Sequence, residues 1–112
     1  MLNEKELLRG NTPSLLLYLI AKSGRIHGYG LIQEIRSRSK GYFQFRAGTV
    51  YPVLHKLEQE GLIRGEWAAQ AGRQQRRHYT ITEKGKKALS RRLSTWVEFT
   101  TAMNLILQPR GS

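Results

Sequence analysis

Apolar and polar positions follow a helical period in four stretches of the chain. Between the third and fourth, the period drops to two. Thr12-Pro13 reads as a helix start, with Thr12 as N-cap and Pro13 at the first helical position, where its missing N–H is harmless. From there to about Lys22 the residues are apolar almost all round, which predicts a helix at the centre of the core. Met1 to Gly10, with Leu2, Leu7 and Leu8, reads as no more than a frayed turn before it. A second helix is expected from Gly28-Tyr29, turning Leu31, Ile32 and Ile35 inward and Gln33, Arg36 and Arg38 outward. Ser39-Lys40-Gly41 closes it, and residues 42–46 form an extended link.

Val50, Val53, Leu54 and Leu57 recur at i, i+3, i+4 and i+7 and define a third helix. It begins between Ala47 and Thr49, and Pro52, at ease only in a first turn, argues for the later start. Gly61 stands where a left-handed C-cap belongs, and Leu62-Ile63 lead into a strand. Ile63, Gly65 and Trp67 alternate with Arg64, Glu66 and Ala68; Arg77, Tyr79 and Ile81 alternate with Arg76, His78 and Thr80. Residues 69–75, with Gly72 and Arg73, link the two runs as a basic hairpin tip. Thr82-Glu83 then opens a last helix, which Pro109 stops.

Two helices joined by a link, a polar-faced third and a basic hairpin make a winged helix-turn-helix pattern. The expected fold is therefore mainly α with a small β-hairpin. Residues 1–81 form the winged helix-turn-helix unit, and 82–112 the long C-terminal helix and its tail. The last helix carries Leu89, Leu93, Trp96, Val97, Thr100, Met103 and Leu107 on one stripe, longer than so small a core covers. Such a stripe predicts a partner, most simply the same helix of a second chain in a homodimer. Folding back onto the first helix is the alternative.

Charge narrows the function. Nineteen basic residues against 8 acidic give a formal charge of +11 in 112 residues, which favours a polyanionic partner, nucleic acid or an anionic membrane surface. A membrane role is not expected, because no basic face lies opposite a lipid-facing stripe. The longest apolar run, Leu15 to Ala21, is too short to span a bilayer and lacks a signal-peptide cleavage site, so a cytoplasmic location is expected. Cysteine is absent, which removes disulfides, thiol nucleophiles and thiolate metal sites. His27, His55 and His78 fall on separate elements without ligand spacing, and no nucleophile–base–orienter set exists. No metal, no cofactor and no enzymatic activity are expected.

The third helix turns Thr49, Tyr51, Pro52, His55, Lys56 and Gln59 outward, a hydrogen-bonding face suited to base edges in a major groove. His55 is the candidate for a base edge and Lys56 for phosphate. Tyr51, one turn from His55, is expected to reach DNA as well, with closure of the hydrophobic rim the alternative. Arg46 and Thr49 lie at the helix N-terminus, where a phosphate meets free amides and the helix dipole. Tyr29 and Lys40, at the two ends of the second helix, are further backbone-contact candidates, with core packing the alternative for Tyr29. Arg73, Arg76 and Arg77 are the wing candidates, against the plainer reading of a solvated basic run. The glycines around His27 are expected to let the first two helices pack closely. Trp67 and Trp96 read as core or interface aromatics.

Three motifs occur in order: His27-Gly28-Tyr29-Gly30, then Gly48-Thr49-Val50-Tyr51-Pro52-Val53-Leu54 with Leu57-Glu58 before Gly61-Leu62-Ile63, then Tyr79-Thr80-Ile81-Thr82-Glu83-Lys84-Gly85. From Leu8 to about Leu107 the chain resembles the PadR family of transcriptional regulators, in its short branch with a single C-terminal helix. The resemblance implies a homodimer that binds double-stranded operator DNA and usually represses. It also implies a planar aromatic effector held between tryptophans in the dimer pore, where Trp96 would lie, with Phe99 and Met103 lining the same cavity. Where the family commonly has two adjacent aromatics, this chain has His78-Tyr79. Two other functions are consistent with the residues: a protein that sequesters aromatic small molecules, and a winged-helix module that binds nucleic acid without sequence choice.

Overall fold

In the computed structural model, which describes residues 4–70 and 73–108, the first helix, α1, spans Glu4–Ser23 and carries Pro13 in its interior. The helix therefore does not start at Thr12. An interior proline leaves the carbonyl four residues back without its amide and costs about 3 kcal/mol. Packing around the proline holds the helix together. Thr12 is buried rather than capping, and Asn11 lines a groove shared with the C-terminal helix. One turn on, Leu16, Leu17, Leu19 and Ile20 are buried, each contributing roughly 1.5–3 kcal/mol. Residues 1–3, part of the expected frayed turn, lie outside the described residues.

Helix α2 (Gly28–Arg38) buries Leu31 and Ile35 and ends as expected at Ser39-Lys40-Gly41. Gly41 N–H donates to the Arg36 carbonyl and Lys40 N–H to the Ser37 carbonyl, at 2.8 and 3.1 Å. This closure puts Lys40 itself in the left-handed region at φ 53°. Helix α3 (Ala47–Gln59) starts at the earlier of the expected limits, with Pro52 in its second turn. Thr49 and Val50 N–H both donate to the Arg46 carbonyl, so the first turn closes without help from Pro52. Val50, Leu54 and Leu57 are buried. The helix ends in the same closure as α2, with Gly61 at φ 77° and Leu62 N–H donating to the Leu57 carbonyl.

The β-structure is larger than a hairpin. Ile26–His27 form a short strand, β1, at residues to which the sequence pattern gives no element. It pairs antiparallel with β3 (Arg73–Ile81), which pairs in turn with β2 (Ile63–Gln70), in the order β1-β3-β2. Two residues are too few to show a period, which is why the strand is invisible in the sequence. The register Ile26↔Tyr79, Gly65↔Tyr79 and Ile63↔Ile81 gathers one set of the expected alternation on the face toward the core. His27, His78 and Glu66 share the opposite face. Gly72 at the wing tip lies outside the described residues, as does the side chain of Arg73.

Helix α4 (Glu83–Leu107) is capped by Thr82, as read from the sequence. Thr82 Oγ1 accepts from Gly85 N–H at 3.0 Å and itself donates to the Gly61 and Leu62 carbonyls at 2.7 and 3.1 Å. Lys84 Nζ donates to the Glu60 carbonyl at 2.9 Å. A β-carbon on Gly85 would lie 2.0 Å from the Leu62 carbonyl oxygen, so only glycine fits this joint. The start of α4 is thus bolted to the end of α3. Ala88 and Leu89 join the core against α1. Beyond them the helix projects, and the radius of gyration of 15.7 Å exceeds the about 13 Å of a compact chain this long. Pro109 lies outside the described residues.

Candidate nucleic-acid interface

Burial of Val50, Leu54 and Leu57 turns the other side of α3 to solvent, and Arg46, Thr49, Pro52, His55, Lys56 and Gln59 are all exposed on it. Arg46 is the N-cap residue but makes no side-chain capping bond, so the first amides of α3 face outward without a side-chain partner from the cap. Tyr29, in the first turn of α2, is 56% exposed, and Lys40 is exposed at the other end of that helix.

Tyr51 has two environments. Its ring is 43% exposed, yet its tip rests on α2, where a β-carbon on Gly28 would come within 2.6 Å of Cε1, Cζ and the hydroxyl. Gly30 similarly makes room for Ile26, whose Cγ1 would be 2.9 Å from its β-carbon. The glycines of the first motif therefore seat Tyr51 of α3 and Ile26 of β1, and do not serve packing between α1 and α2.

His27 caps α2, its Nδ1 accepting from Gly30 N–H at 2.9 Å. In the neutral ring the proton then resides on Nε2. Arg76 Nη1, 3.1 Å from that Nε2, meets a donor and gains no acceptor there. Burial first, then the charges of Arg76 and His78, hold the His27 imidazole below its ordinary 6.5. His78 packs edge-on to it, with ring centroids 5.9 Å apart.

The neighbouring arginine has another setting. Arg77 lies on the core side of the wing, where its guanidinium is ion-paired with Glu58 of α3 and stacked 5.5 Å from the Trp67 ring centre. A β-carbon on Gly65 would come within 2.6 Å of Arg77 Nε. Burial pushes the Tyr79 phenol above its ordinary 10.0, with the Arg77 charge working against it. Arg77, expected among the outward wing cations, is thus turned inward, while Arg76 is exposed. The Glu58 pairing was missed; an acid in the last turn of α3, unfavourable to the helix dipole, was the available signal.

A second feature lies away from these groups. Between α1, the link at residues 42–45 and α4 runs an open groove of about 1670 Å³, bordered by Tyr18, Tyr42, Phe43, Arg92, Trp96 and Phe99. Trp96 and Phe99 come together there, with ring centroids 6.0 Å apart. Met103 does not border the groove. Of the expected stripe, Leu89 is buried in the protomer itself. Leu93, Trp96, Val97, Met103 and Leu107 are exposed, and Thr100 donates its hydroxyl back to the Trp96 carbonyl at 2.9 Å. Tyr18 and Tyr42 were not among the expected groove residues. The aromatic density at Tyr42, Phe43 and Phe45 in a supposed link was the signal for Tyr42.

Among the described residues, no helix is long and apolar enough to cross a membrane, and no three His, Cys, Asp or Glu side chains are grouped to hold a metal. The family model described as "Transcriptional regulator PadR-like family" matches residues 16–91. A protein of Lysinibacillus sphaericus, named Uncharacterized protein X, is 31% identical over 92% of this chain and 94% of its own. A PadR-like transcriptional regulator from Bacillus cereus superposes with a TM-score of 0.79 at 28% identity, covering 93% of this chain and 98% of that one. Bacillus subtilis PadR, in complex with operator DNA, superposes with a TM-score of 0.66 at 27% identity, over 72% of this chain and 45% of that one.

Proposed function

Because the chain belongs to the PadR-like family of transcriptional regulators, we propose that it binds a specific operator as a homodimer and represses from it. The observation that carries this reading is the outer face of α3, where Arg46, Thr49, Pro52, His55 and Lys56 are exposed and the helix's own acid, Glu58, is neutralised by Arg77. The likeness to a relative solved on operator DNA supports it. Two α3 helices would enter successive major grooves about one helical turn apart, on a near-palindromic site. His55 would read base edges. Arg46, Thr49, Tyr51 and Lys56, with Tyr29 of α2 and Lys40 just after it, would hold backbone, and Arg73 and Arg76 would hold the flank from the wing.

The exposed apolar residues beyond Leu89 would be covered by the α4 helix of a second protomer. A planar aromatic effector would enter beside Trp96 and Phe99, with Met103 closing the cavity from the dimer seam. By changing the angle between protomers, it would alter the spacing of the two reading helices.

The test is binding to the duplex upstream of the protein's own gene and to a scrambled duplex, near physiological salt. A preference of about a thousandfold or more is expected. If each half neutralises about four phosphates, the log–log salt slope is near −7. Equal binding to both duplexes would favour a module that binds nucleic acid without sequence choice. Tight quenching of Trp96 by aromatic compounds, with no operator preference, would favour a sequestering protein. An effector that binds without changing operator affinity would remove the release step.

A further inference from the structure

The wing leaves the sheet at one pair of residues. Strand β1 reaches only His78 and Tyr79 of β3, so from the next pair outward, Trp67↔Arg77, the hairpin is a two-stranded ribbon. Such a ribbon has little rigidity of its own. At this pivot Arg77 turns to the body of the protein and engages Glu58 of α3 and the Trp67 ring, while Gly65 leaves it room. A planar guanidinium with donors fixed in a fork holds its partners at set angles, which a flexible ammonium does not.

We propose that Arg77 is a positioning residue for DNA binding: through Glu58 it fixes the angle of the wing to α3 and does not itself touch DNA. The proposal rests on the DNA-binding reading above and adds to it a division of labour between adjacent arginines. Arg76, on the opposite face of β3, is left to reach the flanking backbone. It also explains Glu58. An acid in the last turn of the reading helix is unfavourable both to the helix dipole and to an approaching phosphate, unless it serves a partner within the protein.

The sign of one substitution separates positioning from direct contact. Glu58→Gln removes a negative charge beside the interface, so simple electrostatics predicts tighter binding, whereas loss of the wing angle predicts weaker binding. The full chain would be compared as wild type, Glu58→Gln, Arg77→Leu and the swapped Glu58→Arg/Arg77→Glu pair. The probe is a duplex selected from a random pool by the wild type, with its flanking base pairs and trimmed of them.

On the flanked duplex, Glu58→Gln and Arg77→Leu should each bind roughly tenfold more weakly, a size usual for coupling through packed side chains. On the trimmed duplex they should match wild type, and the swapped pair should recover part of the loss. Tighter binding by Glu58→Gln, or equal losses on both duplexes, overturns the proposal. So does wild-type behaviour of Glu58→Gln on the flanked duplex, a result that stands even if Arg77→Leu fails to fold. A wild type that selects no sequence overturns the DNA-binding reading, and the proposal with it.

Discussion

The tip of Tyr51 lies where a side chain on Gly28 would have to be: a β-carbon there would be 2.6 Å from the phenol ring. This contact joins the first sequence motif to the second and holds a half-exposed tyrosine of α3 against the start of α2. Because the tip is the free end of a side chain, Gly28→Ala should displace it outward and leave the fold intact. Alanine's better helix propensity, up to about 1 kcal/mol, offsets part of the clash. The unfolding midpoint should stay within a few degrees of wild type, while operator affinity falls. A melt and a duplex titration on the same sample test this. Unchanged affinity would mean Tyr51 only fills the rim.

Gly85 is the opposite case. Its missing β-carbon would meet the Leu62 carbonyl at 2.0 Å, and backbone cannot swing aside. Gly85→Ala should cost about 2–3 kcal/mol, as overpacking does. That is a midpoint lower by roughly 10 °C or more in a chain of this size. A change of a degree or two would show that the joint between α3 and α4 is loose.

His27 gives the protein an acid-sensitive element. Its folded-state pKa lies below the ordinary 6.5, so the unfolded chain binds its proton more readily. The contribution is complete above about pH 6.5 and is lost as pH falls through the lowered folded value, when Nδ1 gains a proton and can no longer accept from Gly30. His27→Asn retains a capping oxygen without the titration. The wild-type midpoint should fall more steeply between pH 7.5 and 5.5 than that of the variant, with Arg76 and His78 unchanged in both. Parallel profiles would exclude His27 as the cause.

Lys40 should separate stability from binding. It stands at φ 53°, where a side chain costs roughly 1–2 kcal/mol that glycine escapes, less up to about 1 kcal/mol for the freer unfolded chain. Lys40→Gly should therefore raise the midpoint slightly. If Lys40 holds a phosphate in each protomer, the salt slope should drop by about 2. An unchanged slope would reduce Lys40 to a solvated cation.

The proposed dimer would rest on α4. Val97 is 59% exposed on the projecting part of the helix, so Val97→Asp leaves the protomer core untouched. Sedimentation should find the variant monomeric and the wild type dimeric, with operator affinity lost alongside. A dimeric variant would move the interface elsewhere.

What the sequence made legible follows from local physics. The α3 stripe, the Gly61 closure and the Thr82 cap all involve residues within a few positions of one another, and each stands where it was read. The errors came where distant packing overrode a local rule. Pro13 reads as a helix start until the burial of Thr12 is known. Ile26–His27 becomes a strand only because Tyr79 and His78 lie beside it. At the candidate interface, spacing was enough to find the face of α3 but not the job of each cation. Arg76 and Arg77 are neighbours of identical chemistry, and the alternation of β3 sends them to opposite faces.

The joint at Thr82 and Gly85 also sets a mechanical ratio. With the Thr82 hydroxyl fixed to the Gly61 and Leu62 carbonyls and no room at Gly85, α3 and α4 should turn as one crank. Trp96 stands about 16 Å along that arm and Leu107 about 33 Å, at 1.5 Å per residue. A wedge that parted the arm by about 1.5 Å at Trp96 would therefore rotate the crank by about 5° and sweep its far end by about 3 Å, taking α3 through the same angle.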